Sequence, residues 1–126
     1  MSNDARVRVW SYDPTRDARP NSAQPGDIDD RCAVFLAAPE GAADAVAWMA
    51  VDHYDGGEAT VLFAAPPGEQ YSSYVSALLG AAVKEARRLG VESLLAHWRA
   101  GWSSATAALT EAGFAETAPG IWHREL

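Results

Sequence analysis

Hydrophobic residues follow three successive patterns between residues 60 and 99, and these predict a strand, a helix and a second strand. Residues 60–65 are β-branched, aromatic or small, and Pro66-Pro67-Gly68 ends the run, as is typical of a buried strand. From 71 to 89 the apolar residues recur three or four positions apart, which is the spacing of an amphipathic helix. Residues 91–98 resume a strand pattern. Because the turns between them are short, the three elements predict a right-handed parallel strand–helix–strand unit.

The predicted helix also carries signals at both of its ends. Ser72 or Ser73 is suited to cap its N-terminus, and Gly90 stands where a helix favours a left-handed residue. Cations favour the C-terminal end of the helix macrodipole, and three occur there: Lys84, Arg87 and Arg88. The apolar stripe that we expect to be buried consists of Val75, Leu78, Leu79, Ala82, Val83, Ala86 and Leu89.

The rest of the chain predicts mostly strands. They are expected at 7–12, 32–37, 45–54, just after Gly113 and at 121–126, with a hairpin signal at Asp55-Gly56-Gly57. A second helix is predicted over 105–112, with Ser103 or Ser104 as its cap and Leu109 on its buried face. Residues 14–30 have no periodic pattern and predict a long loop. We therefore expect one α+β domain over 1–126, with a mixed, mostly antiparallel sheet of about six or seven strands and two main helices.

Charge and cysteine content narrow the choice of partners. The net charge is −7, and residues 1–58 hold eleven acids against five bases. No basic stripe is present, which argues against nucleic acid and anionic membranes as partners. An acidic first half suits a cationic small molecule, although surface charge that keeps the protein soluble is the favoured explanation.

Cys32 is the single cysteine and no apolar run has the length of a membrane helix, so a cytoplasmic location is expected. The exposed edge of the first strand leaves a homodimer open.

The order of elements resembles the Gcn5-related N-acetyltransferase (GNAT) superfamily over about residues 45–126. Three details carry the resemblance: the strand that runs into Pro66-Pro67, the pair Leu78-Leu79 in the long helix, and the phrase Ala105-x-x-x-Leu109-x-x-x-Gly113-Phe114. The resemblance implies that the strands at 60–65 and 91–97 splay apart and that acetyl-CoA or another acyl-CoA lies between them. It also implies an acyltransferase with an amine-type acceptor.

The resemblance further implies where the cofactor lies. In the family, an Arg/Gln-x-x-Gly-x-Gly/Ala turn opens the long helix and holds the pyrophosphate with backbone N–H groups, as helix N-termini do. That turn falls on residues 70–75 here, so the expected cofactor-binding residues are Phe63, Ala65, Gln70, Ser72, Ser73, Tyr74 and Val75. The sequence departs from the motif, because Ser73 and Val75 replace both small residues and no Lys or Arg lies between Ala59 and Val83. This chain is therefore a divergent member if the resemblance holds.

The second helix departs from the family as well. Leu109 stands where many members have the tyrosine that acts as general acid, and a leucine has no proton to give. Trp102 stands where an asparagine often contacts the cofactor. The loop 14–30 takes the place of the two helices that usually cover the acceptor site.

Candidate acids and bases occur at two places. Asp52, His53 and Tyr54 precede the hairpin and Glu58 follows it, and Glu58 is the best single candidate base. Strand alternation points Asp52 and Tyr54 one way and His53 the other, so the four do not converge, and a solvated hairpin end is the favoured explanation.

The second place is the end of the strand at 91–98. His97 titrates near neutral pH and suits proton transfer, and Trp98 and Trp102 suit an apolar substrate wall. A core tryptophan and a partly buried structural histidine are an equally good explanation. Tyr71 at the start of the helix is a further substrate-binding candidate, against ordinary surface tyrosine. The three histidines are far apart, and no metal-ligand spacing is present.

Three functional interpretations remain open. The first is a GNAT-like acyltransferase in which Glu58, His97 or His53 handles protons. The second is an enzyme on this fold that has been repurposed for a reaction without CoA, using His97 and a tyrosine–serine group at the start of the long helix, which consists of Tyr71, Ser72, Ser73 and Tyr74. The third is a non-catalytic binding or scaffold module. The start of the long helix distinguishes them, because a cofactor needs open N–H donors there, whereas tyrosines that fill the site favour a non-catalytic module.

Overall fold

A computed structural model describes residues 7–17, 32–53, 57–66, 68–100 and 102–126. The predicted residues Tyr54, Asp55 and Gly56, together with most of the expected loop 14–30, lie outside the described residues. Of the candidate residues His53, Trp98 and Trp102, only the backbone is described.

Seven strands form one sheet within the described ranges. They are β1 (Val7–Ser11), β2 (Cys32–Pro39), β3 (Ala47–His53), β4 (Glu58–Ala64), β5 (Ser93–Ala100), β6 (Ala115–Ala118) and β7 (Ile121–Glu125). Their order across the sheet is β1-β2-β3-β4-β5-β7-β6. Only β4 and β5 pair in parallel, and every other neighbouring pair of these strands is antiparallel. The predicted α+β class, the mixed sheet and the parallel strand–helix–strand unit are confirmed.

Helix α1 (Ser72–Leu89) follows a short 3-10 turn, Glu69–Tyr71, and it ends as its sequence predicts. Gly90 has a φ of 78°, in the left-handed region. The N–H of Gly90 donates to the Arg87 carbonyl at 3.1 Å and the N–H of Val91 donates to that of Ala86 at 3.1 Å. This pair of bonds satisfies two carbonyls at the helix end, as glycine commonly allows.

The predicted serine caps of α1 are wrong, although its predicted start at residue 71 lies within one residue of the observed start. Tyr71 precedes the helix and makes no side-chain capping bond, while Ser72 and Ser73 lie inside the first turn. The reason is the 3-10 turn, in which the Tyr71 N–H donates to the Gly68 carbonyl at 3.1 Å. Because this turn leads directly into the helix, the backbone is already helical at the two serines.

Helix α2 (Trp102–Glu111) begins three residues before the predicted 105, so Ser103 and Ser104 lie within it and are not its caps. It ends like α1. Gly113 has a φ of 87°, and the N–H of Phe114 donates to the Leu109 carbonyl at 2.9 Å. The Gly-Phe pair therefore closes α2 by the same arrangement that closes α1.

Both helices pack on one face of the sheet, which we call the helix face. Alternate strand residues supply it, and the buried cluster there includes Met49, Val61, Phe63, Leu94, Ala96, Leu78, Leu79, Ala105 and Leu109. The intervening strand residues form a second face with a smaller buried cluster of Val34, Leu36, Trp48, Ala50 and Ala64. Trp10, Tyr12 and Leu62 pack against that second cluster and are partly buried.

The beginning of the expected loop 14–30 contains a hydrogen-bonded turn that we did not predict. The N–H groups of Arg16 and Asp17 both donate to the Asp13 carbonyl, and the N–H of Thr15 donates to the Asp13 carboxylate at 2.9 Å. An aspartate followed by Pro14 is the usual way in which a helical turn is initiated.

Candidate functional site

The candidate site lies where β4 ends and α1 begins. β4 and β5 pair from Glu58–Ser93 to Phe63–Trp98, and the register then shifts so that Ala64 pairs with Ala100. The expected splay between these strands is therefore wrong in its extent, because the pairing continues to the last residue of β4. The irregularity that the pairing does contain is the register shift at Phe63/Ala64, next to the end of the strand.

Gly68 shapes the turn between β4 and α1. Its φ is +124°, a conformation that side chains rarely adopt, and an added Cβ would lie 2.5 Å from Oε1 of Gln70. The Gln70 side chain therefore packs closely over Gly68 while remaining exposed to solvent. In the sequence, Pro66-Pro67-Gly68 predicted the end of a strand, but the tight turn at Gly68 was not predicted.

Two tyrosines pack together at the start of α1. The ring centroids of Tyr71 and Tyr74 are 5.8 Å apart and the rings are tilted by 40°. Tyr74 is only 6% exposed and belongs to the core, and Tyr71 is partly buried against it. The predicted tyrosine–serine group is therefore divided. Its tyrosines face the core, while Ser72 is half-buried and Ser73 is exposed.

The predicted cofactor-binding residues divide in the same way. Four of them are buried: Phe63, Ala65, Tyr74 and Val75. Gln70, Ser72 and Ser73 have accessible surface at the start of α1. These three supply an amide and two hydroxyls beside the N-terminal end of the helix dipole, which is a suitable environment for an anion.

The two best candidate bases lie apart on the same face. Glu58 pairs with Ser93 and His97 pairs with Leu62, which places both on the second face of the sheet. Ser93 Oγ donates to Glu58 Oε2 at 3.3 Å. Glu58 begins β4, so it lies about 20 Å from the end of that strand at ~3.3 Å per residue. His97 is exposed and lies only two pairs before the Ala64–Ala100 pair.

The other candidate residues are placed by their backbones. His53 ends β3 and pairs with Ala59, while its neighbour Asp52 pairs with Thr60. Trp98 pairs with Phe63, and Trp102 is the first residue of α2. Glu58, His53 and His97 therefore do not form one constellation. Trp98 and Phe63 lie opposite each other on neighbouring strands near the end of β4, and α2 begins two residues after β5 ends.

Leu109 occupies the position at which the family resemblance implies a general acid. It is 0% exposed and packs in the core of the helix face. Its surroundings are apolar, so this position supplies no proton. No group of three or more potential metal ligands occurs among the described residues. None of the helices that the structure describes has the length and hydrophobicity needed to cross a membrane.

Comparisons with known proteins give matches in structure but not in sequence. No protein-family model matches the chain, and no curated protein matches it. A GNAT-family acetyltransferase from Staphylococcus aureus superposes with a TM-score of 0.70 at 11% identity, over 96% of this chain and 99% of that one. The IAA acetyltransferase from Bacillus cereus gives 0.68 at 16% identity, over 96% and 100%. The ribosomal-protein-S18-alanine N-acetyltransferase from Escherichia coli gives 0.66 at 20%, over 95% and 94%. The chain therefore has the GNAT fold, as its sequence predicts.

Proposed function

We propose that this protein, built on the GNAT fold, transfers an acyl group from an acyl-CoA to a small amine-type acceptor. The observation that carries the proposal is the arrangement at the end of β4. A parallel strand pair with a register shift at Phe63/Ala64 leads through the Gly68 turn into the N-terminus of an 18-residue helix. The structural neighbours described as acetyltransferases have the same fold, and this likeness supports the same class of reaction here.

The residues at the start of α1 fit the anionic part of the cofactor. Gln70, Ser72 and Ser73 offer donors on accessible surface, and the helix dipole adds a positive end. No guanidinium or ammonium group lies between Ala59 and Val83, so these neutral donors carry the interaction. When bound, the cofactor supplies a thioester carbonyl that is activated toward an amine.

The chain's own contribution to the chemistry is the handling of the acceptor's proton. We assign this role to His97 rather than to Glu58, because His97 lies close to the end of β4 that adjoins α1. An imidazole suits the role of general base at neutral pH. Glu58 lies at the other end of β4, beside Ser93. A ligand bound at the start of α1 would reach Glu58 only if it extended along the whole strand.

A non-catalytic binding module is the second candidate, and one observation favours it. Tyr71 and Tyr74 pack together where the cofactor would enter, and the end of β4 is buried, with Phe63 at 0% and Ala65 at 5% exposure. A cofactor that runs alongside β4 requires the side chains that cover Phe63 and Ala65 to move away.

Isothermal calorimetry with acetyl-CoA tests the proposal. We expect micromolar binding by the wild type and its loss in Ser73→Glu, because a carboxylate at the helix start repels the pyrophosphate. Thr117→Glu is the matched control, since it adds the same charge on exposed strand β6 and is expected to bind normally. An absence of binding at millimolar acetyl-CoA would contradict the acyltransferase and favour the binding module.

A further inference from the structure

A second candidate site lies between the two helices, away from the end of β4. A groove of about 410 Å³ runs along one stripe of α1 that includes Gly80, Val83 and Arg87, and it is bounded on the other side by the C-terminal half of α2. Arg124 of β7 lines the groove as well. Its volume lies in the range of roughly 300–1,000 Å³ that small-molecule sites occupy.

The floor of the groove is apolar and well packed. Leu79, Val83 and Ala108 line it, and none of them is more than 8% exposed. Gly80 has no side chain to fill the groove from the α1 side, and a Cβ added there would meet no atom within 4 Å. The missing side chain therefore leaves space between the helices that a ligand can enter.

Two arginines give this groove a positive end. Arg124 is partly buried and is held in place, since its Nη1 donates to the Ala112 carbonyl at 2.7 Å across the end of α2. Arg87 is exposed. Within the part of the chain that the structure describes, neither Arg87 nor Glu111 takes part in an ion pair. Two guanidinium groups against the one carboxylate of Glu111 leave a local excess of positive charge on a chain whose net charge is −7.

We propose that this groove binds a small amphipathic carboxylate, with its anionic head at Arg87 and Arg124 and its alkyl body along the apolar floor. Guanidinium groups match a carboxylate in geometry as well as charge, and a donor fixed in advance, as Arg124 is, loses little freedom on binding. The groove reaches Ser76, about one turn after Ser73, but none of residues 70–75 lines it, so the proposal does not depend on acyl transfer.

Titration of the full-length ¹⁵N-labelled protein with hexanoate, followed by amide chemical shifts, tests the site. We expect saturable shifts confined to residues 76–87, 108–112 and 124. The neutral analogue 1-hexanol is expected to bind about tenfold more weakly, because it offers no charge to the guanidinium groups. Gly80→Leu is expected to abolish the shifts by filling the groove, with its fold checked by the unchanged spectrum of the other residues.

Neighbouring arginines provide the matched control. Arg87→Gln and Arg88→Gln each remove one cation from the last turn of α1, but only Arg87 lines the groove, whereas Arg88 bonds to Glu85. We expect Arg87→Gln to weaken hexanoate binding about tenfold and Arg88→Gln to leave it within about twofold. Equal effects of the two substitutions, equal affinities for hexanoate and 1-hexanol, or no saturable shift up to about 50 mM would overturn the proposal.

Discussion

Asp17 holds together the turn that follows β1. Its carboxylate accepts the Asp13 N–H at 2.9 Å and Trp10 Nε1 at 3.4 Å, and it pairs with Arg16 at 3.0 Å. The Arg16 hydrogen bond is the main cause that lowers the pKa of Asp17 below its ordinary value. Because the folded-state pKa is lowered, the interaction stabilises the protein at pH values above the ordinary aspartate pKa. This stabilisation is lost as the pH falls through the folded-state pKa.

We therefore expect Asp17→Asn to reduce the free energy of unfolding at pH 7, with a difference that shrinks as the pH falls below about 4. Urea unfolding at pH 7 and pH 3 measures this. Asp44→Asn, at an exposed position, serves as the control and is expected to have little effect at either pH. A difference that grows toward low pH would contradict the assigned role of the ionised carboxylate.

His97 and Glu58 make different predictions although both lie on the second face of the sheet. Only His97 is close to the junction of β4 and α1, so we expect His97→Gln to lower kcat/KM for acyl transfer by roughly 10² to 10⁴. Glu58→Gln is expected to stay within about a factor of ten, since its known contact is with Ser93 at the far edge. If the larger loss follows Glu58→Gln, the base lies at the start of β4 instead.

Gly80, within helix α1, and Gly90, just after its end, carry opposite expectations for the same substitution. Gly80 is helical and exposed, and an added Cβ has open space there, so Gly80→Ala is expected to raise the free energy of unfolding by about 0.5–1 kcal/mol. Gly90 has a φ of +78°, so Gly90→Ala is expected to lower it by about 1–2 kcal/mol. Urea unfolding of both variants gives the comparison, and two changes of the same sign would show that backbone conformation does not decide these sites.

The predictability of α1 illustrates what sequence periodicity reports. Six of its seven predicted stripe residues are buried and Leu89 is intermediate, because the 3.6-residue period alone determines which side of a helix meets the sheet. The stripe missed Tyr74, whose hydroxyl made it look like a surface residue. The predicted serine caps are wrong because the way this helix begins depends on the backbone of Gly68 and the following 3-10 turn, which a search for serine caps does not consider.

The candidate site was harder to predict than the sheet, and strand register explains why. Alternation in β4 and β5 places Glu58 and His97 on a common face, but only the pairing of Leu62 with His97 fixes how far apart they lie. The extent of the strand separation also depends on that register. The family resemblance implied that the two strands splay apart, whereas they stay paired with a register shift at Phe63/Ala64. Local patterns therefore predicted the elements, while the spacing of candidate residues required long-range pairing.

The whole sheet is asymmetric in its protection from solvent, and this gives a last prediction. β4 lies between β3 and β5, and its helix-face residues Ala59, Val61 and Phe63 are 0% exposed. β6 is at the edge of the sheet and, among the described strands, pairs only with β7. It has a register irregularity between Glu116 and Ala118 and is exposed at all four residues. Amide exchange proceeds through local openings whose free energy rises with buried contacts and pairing. We expect the β4 amides to exchange last, with an opening free energy that matches global unfolding by urea, and the β6 amides to exchange first. Native-state hydrogen exchange measured by NMR checks both, and comparable protection of β4 and β6 would mean that the sheet opens only as one unit.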